Sequence, residues 1–333
     1  MNKITWGMIG CGDVTEEKNG PGLYLNANSE LRAITNRTYE KALDWSKRHH
    51  PCVVYKTVDE LIADPQIDIV YIATTPDCHM KYAIQCANAG KHVYIEKPIA
   101  MSYEEAVAIE ECCKRNNVSA FVAHYRRGLP QFIKAKELLE TGAIGTPLSV
   151  QITSLFQAQS LEGWRSQANT SGGGHFFEAD IHGMDIIDYL LGAYREVFLT
   201  ANPFPEKKEI ERSVSAVFRW DNGMIGSGTW CFDTEKDEDC VKIYGTEGSL
   251  TFGVFDLSQP LVLSQGGKTT SLTFDIPAYV GMPHEKLIVD TLLGVCERKD
   301  ICTLENAMRT LKITDAMRTA KDSGKTVRIE NEN

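Results

Sequence analysis

Three ionisable side chains, Glu178, His182 and Asp185, recur at helical spacing directly after a run of three glycines. At about 100° per residue they fall within about 60° of one another on one stripe of a helix. A histidine with a carboxylate one turn away on each side has a tuned pKa and a fixed tautomer, which general acid–base chemistry requires. The same spacing also fits a solvated polar face on a surface helix, so the stripe alone leaves both interpretations open.

A second candidate site follows the first apolar segment, residues 4–9. Its two glycines allow a tight turn and a close approach of backbone N–H groups to a pyrophosphate at a helix N-terminus. Thr15 stands where the dinucleotide fingerprint has its third glycine. The candidate pyrophosphate-binding residues are Gly10, Gly12, Asp13 and Val14.

The end of the second apolar segment, residues 31–35, bears on the type of dinucleotide. The fingerprint has Asp or Glu near this point, which binds the ribose 2′-hydroxyl and repels a 2′-phosphate. Asn36 lacks that charge, and Arg37 can pair with a phosphate. The pair favours NADP(H) over NAD(H), although stacking of Arg37 on adenine or simple exposure to solvent fits the sequence equally well.

Alternating strand and helix patterns continue to about residue 123 and predict an α/β fold, an N-terminal Rossmann doubly wound parallel sheet of six strands. From residue 124 onwards, short alternating segments and a hairpin signal at Asp221-Asn222-Gly223 predict an α+β domain with a large, mainly antiparallel open sheet. We therefore expect a dinucleotide-binding domain, residues 1–123, and a substrate-binding and oligomerisation domain, residues 124–333. Ligands of parallel sheets lie beyond the carboxyl ends of the strands. Those ends carry Gly10, Asn36, Thr74, Glu96-Lys97 and His124-Tyr125-Arg126-Arg127.

Composition narrows the class of protein. The chain has 333 residues, 43% of them hydrophobic, and a net charge of −10 with scattered Lys and Arg, which argues against nucleic acid as a partner. No run of 18 apolar residues predicts a membrane span, and the N-terminus leaves no room for a signal peptide. Ten cysteines without a C-x-x-C pair predict a reduced, cytoplasmic protein without a metal site.

Five segments, in order, resemble the Gfo/Idh/MocA family of nicotinamide-dependent sugar and cyclitol oxidoreductases. These segments are Gly10-x-Gly12, Thr74-Thr75-Pro76-Asp77-Cys78-His79, Glu96-Lys97-Pro98-Ile99-Ala100, Tyr125-Arg126 and residues 172–185. The resemblance implies that Lys97 lies beside the nicotinamide and the substrate, and that Glu178 and His182 complete the catalytic group. It also implies a homodimer or homotetramer that packs through the C-terminal sheet, and a last helix that packs back on the first domain.

The resemblance extends the candidate binding sites. For the cofactor it adds Thr74, Thr75, Pro76, His79, Glu96 and Lys97 to the glycine turn and to Asn36 and Arg37. For the substrate the candidates are Lys97, Tyr125, Arg126, Trp164, Arg165, Glu178 and His182. Tyr279 and His284 are weaker candidates in a loop before a helix.

Two positions depart from the family pattern. The family usually has Asp at position 178, and commonly a small residue at position 180, where this chain has Glu178 and Asp180. Asp180 points to the apolar side of the predicted helix, or else caps the start of a helix. Either change can alter the choice of substrate.

Three functions fit these residues. The first is an NAD(P)-dependent dehydrogenase or reductase that acts on the CH–OH group of a sugar, cyclitol or sugar derivative, with Lys97 and His182 in proton transfer. The second is nicotinamide-assisted glycoside cleavage or isomerisation with transient oxidation. The third is a dinucleotide-binding sensor without turnover.

Overall fold

A computed structural model describes residues 3–157, 161–162, 174–295 and 301–330. Contacts within the chain divide it into two compact units. The first unit comprises Met1–Leu129 and Pro277–Met308, and the second comprises Pro130–Ile276 and Arg309–Asn333.

The first unit is built on a six-stranded sheet with the strand order β3-β2-β1-β4-β5-β6, in which every neighbouring pair is parallel. This is the predicted doubly wound arrangement, in which the order reverses between β1 and β4. The strands are β1 (Ile4–Ile9), β2 (Ser29–Thr35), β3 (Val53–Val54), β4 (Ile69–Ile72), β5 (His92–Ile95) and β6 (Ala120–Val122). Because helices cover parallel sheets on both faces, the central strands are rich in buried apolar residues, and all four residues of β4 are buried.

Short helices connect these strands. They are α1 (Asp13–Glu17), α2 (Gly22–Leu25), α3 (Tyr39–Arg48), α4 (Val58–Ile62), α5 (His79–Asn88) and α6 (Tyr103–Arg115), with α10 (Met282–Leu292) contributed from late in the chain. Thr57 starts α4 with a capping box to Glu60, and the Ser102 side chain caps α6. The core includes Trp6, Trp45 and Ile288.

The second unit contains a nine-stranded sheet with the order β14-β13-β12-β11-β7-β10-β9-β8-β15. All neighbours are antiparallel except β7 and β10, which are parallel, so the prediction of a mainly antiparallel sheet is confirmed. The strands are β7 (Pro147–Gln157), β8 (Tyr194–Phe204), β9 (Lys207–Trp220), β10 (Ile225–Thr234), β11 (Glu238–Gly245), β12 (Gly248–Phe252), β13 (Leu261–Gln265), β14 (Lys268–Leu272) and β15 (Val327–Arg328).

Burial alternates along the central strands of this sheet, so one face is covered and the other is open. The open face carries large apolar side chains, among them Phe198, Val217 and Ile225, which are 38%, 54% and 52% exposed. Phe198 and Val217 are directly opposite each other on β8 and β9.

In the described part of the second unit, four helices accompany the sheet: α7 (Pro130–Glu140), α8 (Gly174–Ala179), α9 (Ile181–Leu191) and α11 (Leu304–Ser323), of which Arg309–Ser323 belongs to this unit. The prediction of one amphipathic helix after the glycine run is wrong in two respects. Asp180 interrupts it between α8 and α9, and residues 181–190 are buried on every side of α9. The alternative of a solvated polar face is thereby excluded.

Among the described residues, no helix is long and apolar enough to cross a membrane.

Candidate active site

The glycine turn has the geometry that a bound dinucleotide requires. Gly10 has a φ of +99°, and a Cβ at this position would overlap the carbonyl oxygen of Ala73. Gly12 is the exposed N-cap of α1, where a Cβ would meet no atom within 4 Å. Gly12 has no side chain to cap α1, and the first N–H groups of a helix have no intrahelical partner, so those of Asp13 and Val14 are suited to donate to an anion. The turn therefore fits a pyrophosphate.

Thr15 replaces the third fingerprint glycine without disturbing the turn. Its side chain is buried, and its hydroxyl donates to the Gly12 carbonyl oxygen at 2.7 Å. The hydrogen bond from the Thr15 hydroxyl thus stabilises the conformation of the glycine turn.

Asn36 and Arg37 stand at the end of β2 as predicted, but their side chains have different surroundings. The Asn36 Oδ1 accepts the Cys11 N–H at 3.3 Å, and its Nδ2 donates to the Thr38 carbonyl oxygen at 3.0 Å. Asn36 therefore links the β2 end to the glycine turn. Arg37 is exposed.

Burial raises the pKa of the Cys11 thiol to about 12, which disfavours the reactive thiolate form of this cysteine.

The segment after β4 places Thr74 and Thr75 at the carboxyl edge of the sheet, followed by a single 3₁₀ turn, Pro76–Cys78. His79, predicted to bind the cofactor, is fully buried at the start of α5. Its Nδ1 lies 2.9 Å from the Pro98 carbonyl oxygen and its Nε2 lies 3.0 Å from that of Thr74. Burial lowers the pKa of this imidazole. The geometry assigns His79 to bridging the two loops, rather than to side-chain contact with a ligand.

Lys97 follows β5 directly, at the same edge of the sheet, and is half-buried. The Lys97–Pro98 peptide bond is cis. The carboxyl group of the preceding residue, Glu96, turns into the interior, where it is 7% exposed, and its Oε2 accepts the Lys97 N–H at 3.2 Å. Burial raises the pKa of this carboxyl, while the hydrogen bond from Tyr71 and the nearby Lys97 ammonium oppose that rise.

Two residues that sequence reasoning missed hold Glu96. The Tyr71 hydroxyl and the Asn19 side-chain N–H groups each donate to Glu96 Oε1 at 2.6 Å. Asn19 reaches the interior because α1 ends at Glu17 and the chain turns inward through the Gly20-Pro21-Gly22 segment. A buried tyrosine at the centre of an apolar strand, β4, was the one sequence signal that could have indicated this network.

Tyr125 and Arg126 lie in the 3₁₀ turn Tyr125–Gly128 after β6. Both are buried, at 6% and 7% exposure, with the Arg126 guanidinium over the Tyr125 ring at 5.1 Å and donating to its hydroxyl at 3.2 Å. His284 is also interior. Its Nε2 accepts the Cys302 N–H at 3.1 Å and its Nδ1 lies 3.3 Å from the Tyr94 hydroxyl, so it has a structural position.

In the second unit, α8 and α9 carry the remaining candidates. Glu178 is half-buried near the end of α8, and His182, 8% exposed, lies in the first turn of α9. Because Asp180 separates the two helices, Glu178 and His182 do not lie on one continuous helical stripe, and their joint role in catalysis stays a prediction. Trp164 and Arg165, the other predicted substrate contacts in this unit, lie outside the described residues.

Asp180, one of the two departures from the family pattern, is the N-cap residue of α9, and its side chain makes no capping hydrogen bond. It is 2% exposed and lies against Gly183, where an added Cβ would be 2.8 Å from Asp180 Oδ1. Asp180 therefore occupies space that a side chain at position 183 would fill.

Asp185 and the following Asp188 face the last helix of the unit. The Thr310 hydroxyl donates to Asp185 Oδ1 at 3.1 Å, and Arg309 donates from Nη2 to Asp188 Oδ2 at 2.9 Å and from Nε at 3.2 Å to its Oδ1. Both aspartates are 1% exposed. Asp185 therefore anchors α9 to α11 instead of extending the ionisable stripe to a substrate.

No group of three or more His, Cys, Asp or Glu side chains in the described ranges has the arrangement of a metal site. A parallel doubly wound sheet with a glycine turn after β1 and a lysine after β5, two strands further along the sheet, is typical of dinucleotide-binding oxidoreductases. The comparisons with known proteins agree. The model of the oxidoreductase family with an NAD-binding Rossmann fold matches residues 4–124, and that of the GFO/IDH/MocA C-terminal domain matches residues 132–251.

Individual relatives extend the match to nearly the whole chain. Oxidoreductase P35 of Formosa agariphila is 34% identical over 321 residues, which cover 94% of this chain and 98% of the relative. The 1,5-anhydro-D-fructose reductase of Ensifer adhaerens is 26% identical over 75% of each chain. The WlbA dehydrogenase of Bordetella pertussis, solved with NADH and UDP-GlcNAcA, superimposes with a TM-score of 0.86 at 20% identity over 99% of both chains. The chain belongs to the Gfo/Idh/MocA family and is an NAD(P)-dependent oxidoreductase.

Proposed function

We propose that the protein transfers a hydride between a nicotinamide cofactor and a secondary alcohol or ketone of a sugar, cyclitol or sugar derivative. The observation that carries this proposal is that the Gly10–Gly12 turn, Thr74 and Lys97 lie at the carboxyl ends of β1, β4 and β5, which are neighbours in one parallel sheet. A sugar-like substrate is favoured by the relationship to a reductase of 1,5-anhydro-D-fructose.

Lys97, His182 and Glu178 would share the proton chemistry. When bound, the nicotinamide accepts or supplies the hydride. In the oxidative direction His182 would take the hydroxyl proton of the substrate, since an imidazole is the side chain best matched to proton transfer near neutral pH. Lys97 would donate a hydrogen bond to the reacting oxygen, and Glu178 would orient the imidazole or bind a neighbouring substrate hydroxyl.

Substitution separates these roles from a structural one. Lys97→Ala and His182→Ala should each lower kcat by about 10² or more, while the cofactor still binds. Lys81→Ala and His50→Ala serve as controls for loss of the same residue types outside the proposed site. Wild-type rates in either active-site variant would refute the assignment.

The net reaction distinguishes the alternatives. Net formation of NAD(P)H in solution supports the dehydrogenase. Product formation with the cofactor retained on the protein would instead support glycoside cleavage or isomerisation through transient oxidation. Cofactor binding without turnover of polyols, keto-sugars or glycosides would support a sensor.

For the cofactor, we propose a preference for NADP(H). No carboxylate stands at residues 35–37, at the end of β2, and the exposed Arg37 is the cation nearest in sequence to that end. Titration with both cofactors should show tighter NADPH binding, and Arg37→Ala should abolish the difference, whereas Lys41→Ala, exposed on α3, should retain it. Equal affinities in the wild type would refute the preference.

The open face of the second sheet is the proposed contact between copies of the chain. Its exposed Phe198, Val217 and Ile225 form a partly apolar surface of the kind that subunit interfaces bury. Val217→Glu should lower the mass measured by light scattering, whereas Gln66→Glu, which adds the same charge at an exposed position of the first unit, should leave the mass unchanged. An unchanged mass for Val217→Glu would place the interface elsewhere.

A further inference from the structure

Beneath Lys97, the first unit contains a buried cluster of polar side chains that the proposed reaction does not use. We call this group, Asn19, Tyr71, Tyr94, Glu96, His284 and Glu285, the interior cluster. Each of its members is 7% exposed or less, and two of them are carboxyl groups. Two ionised carboxylates close together in an apolar interior repel each other and lose hydration, so such a pair generally holds one proton.

Hydrogen bonding distinguishes the two carboxyl groups. Glu96 accepts from the Tyr71 hydroxyl and the Asn19 amide, each at 2.6 Å, and from the Lys97 N–H at 3.2 Å. Neither oxygen of Glu285 has a hydrogen-bond partner among the described residues. Donors stabilise the ionised form of an acceptor, so the cluster favours a negative charge on Glu96 and a proton on Glu285.

The surroundings of Glu285 also suit a neutral group. Its carboxyl packs against the backbone of Gly22, where an added Cβ would overlap Oε2. The charge that acts on it is that of Glu96, directly after β5, and Glu285 in turn acts on Tyr94 within β5. The adjacent His284 accepts the Cys302 N–H through Nε2, which fits a neutral ring, so none of these groups brings a positive charge. Burial raises the pKa of Glu285 well above its usual range, and the charge of Glu96 adds to that shift. Burial likewise raises the pKa of the Tyr94 hydroxyl, which stays protonated.

We propose that Glu285 is a positioning residue, kept as a neutral carboxylic acid so that the single negative charge of the interior cluster stays on Glu96, directly before Lys97. That charge and the three donors fix the backbone of the loop that carries Lys97 and place a counter-charge beside its ammonium. The consequence of this arrangement for catalysis rests on the proposed function, in which Lys97 binds the reacting oxygen. The assignment of the proton to Glu285 is independent of that function.

The pH dependence of stability tests where the proton is. In the unfolded chain Glu285 loses its proton above about pH 4.3, whereas in the folded protein it keeps it. The wild type therefore loses stability relative to Glu285→Gln as the pH rises. The ratio of the folding equilibrium constants, variant over wild type, should rise by up to about tenfold per pH unit between pH 5 and 8. Glu40→Gln, on the exposed side of α3, should show a flat ratio.

A flat ratio for Glu285→Gln over the same range would overturn the proposal. If the glutamine variant fails to fold, Glu285→Met, which keeps the length and removes the polar group, takes its place with the same expected slope.

Infrared spectroscopy identifies the carboxyl group directly. At pH 7 the wild type should show the carbonyl stretch of a protonated carboxylic acid, shifted in D₂O and lost in Glu285→Gln. Loss of that band in Glu96→Gln but not in Glu285→Gln, or its absence from the wild type, would also overturn the proposal. Neither measurement uses turnover, so a failure of the proposed enzyme function leaves both results interpretable.

Discussion

Tyr71 and Tyr94 provide a matched pair of substitutions that measures the charge on Glu96. Both residues are fully buried, and their rings stack at 5.0 Å. The Tyr71 hydroxyl donates to the Glu96 carboxyl at 2.6 Å and also accepts from the Asn19 amide at 3.2 Å, whereas the Tyr94 hydroxyl is 3.3 Å from the His284 ring. The pH dependence of the free energy of unfolding isolates the contribution of the bond to Glu96. Replacing either tyrosine by phenylalanine removes one hydroxyl and changes little else.

The two substitutions should lower the free energy of unfolding by different amounts. A hydrogen bond to a charged group contributes about 1.5–3 kcal/mol, and one between neutral groups about 0.5–1.5 kcal/mol. His284 is expected to be neutral because its Nε2 accepts the Cys302 N–H. Tyr71→Phe should therefore lower the free energy of unfolding by about 2 kcal/mol, against about 1 kcal/mol for Tyr94→Phe.

Guanidinium unfolding at pH 7 measures both costs, provided that the denaturant dependence is the same in the two variants. The excess cost of Tyr71→Phe should narrow as the pH falls, because Glu96, whose pKa is raised by burial, takes up a proton and becomes a neutral acceptor. Equal costs at pH 7, or a larger cost for Tyr94→Phe, would show that Glu96 carries no charge and would refute the reasoning.

Three further predictions concern other contacts. Gly183→Ala should destabilise the protein by about 1 kcal/mol, because the added Cβ would meet the buried Asp180 carboxylate. In an Asp180→Ala background the same change should stabilise the protein, because alanine has the higher helix propensity. A double-mutant cycle measures this change of sign. Arg309→Met should cost about 3 kcal/mol by leaving Asp188 without its paired donors, and Arg309→Lys should cost less, as chemical unfolding will show. The hydrogen bond from Arg48 lowers the pKa of Glu16 to about 2. Glu16→Gln should therefore destabilise the protein fully at pH 7, and this destabilisation should disappear as the pH falls from about 4.3 towards 2. The pH dependence of the unfolding midpoint tests this prediction.

The sequence predicted features that depend on local pattern. The glycine turn, the six parallel strands and the hairpin at Asp221-Asn222-Gly223 all follow from residues close together in the chain, and the structure has each of them. The turn residue Gly223 has the positive φ, +84°, that the hairpin signal implies.

Features that depend on distant partners were not predictable in the same way. Asp185 and His182 have the same spacing whether α9 is exposed or enclosed, and the contact of Asp185 with Thr310 joins residues 125 positions apart. From the sequence alone, Asn19 resembles an ordinary loop residue. In the structure α1 ends before it, and its side chain donates a hydrogen bond to Glu96, 77 positions away. Periodicity reports which face of a helix is apolar, but it does not report what the polar residues bind.

The two departures from the family pattern differ in what they can change. Asp180 is 2% exposed, and the absence of a side chain at Gly183 leaves room for its carboxylate. The larger residue at position 180 is therefore accommodated within one turn of α9. Burial raises the pKa of Tyr194 well above its usual range, and the charges of Asp188 and Asp180 add to that rise. Glu178 is half-buried and retains access to solvent. Of the two residues, Glu178 is therefore the better placed to reach a substrate. We expect its extra methylene relative to aspartate to alter the choice of substrate.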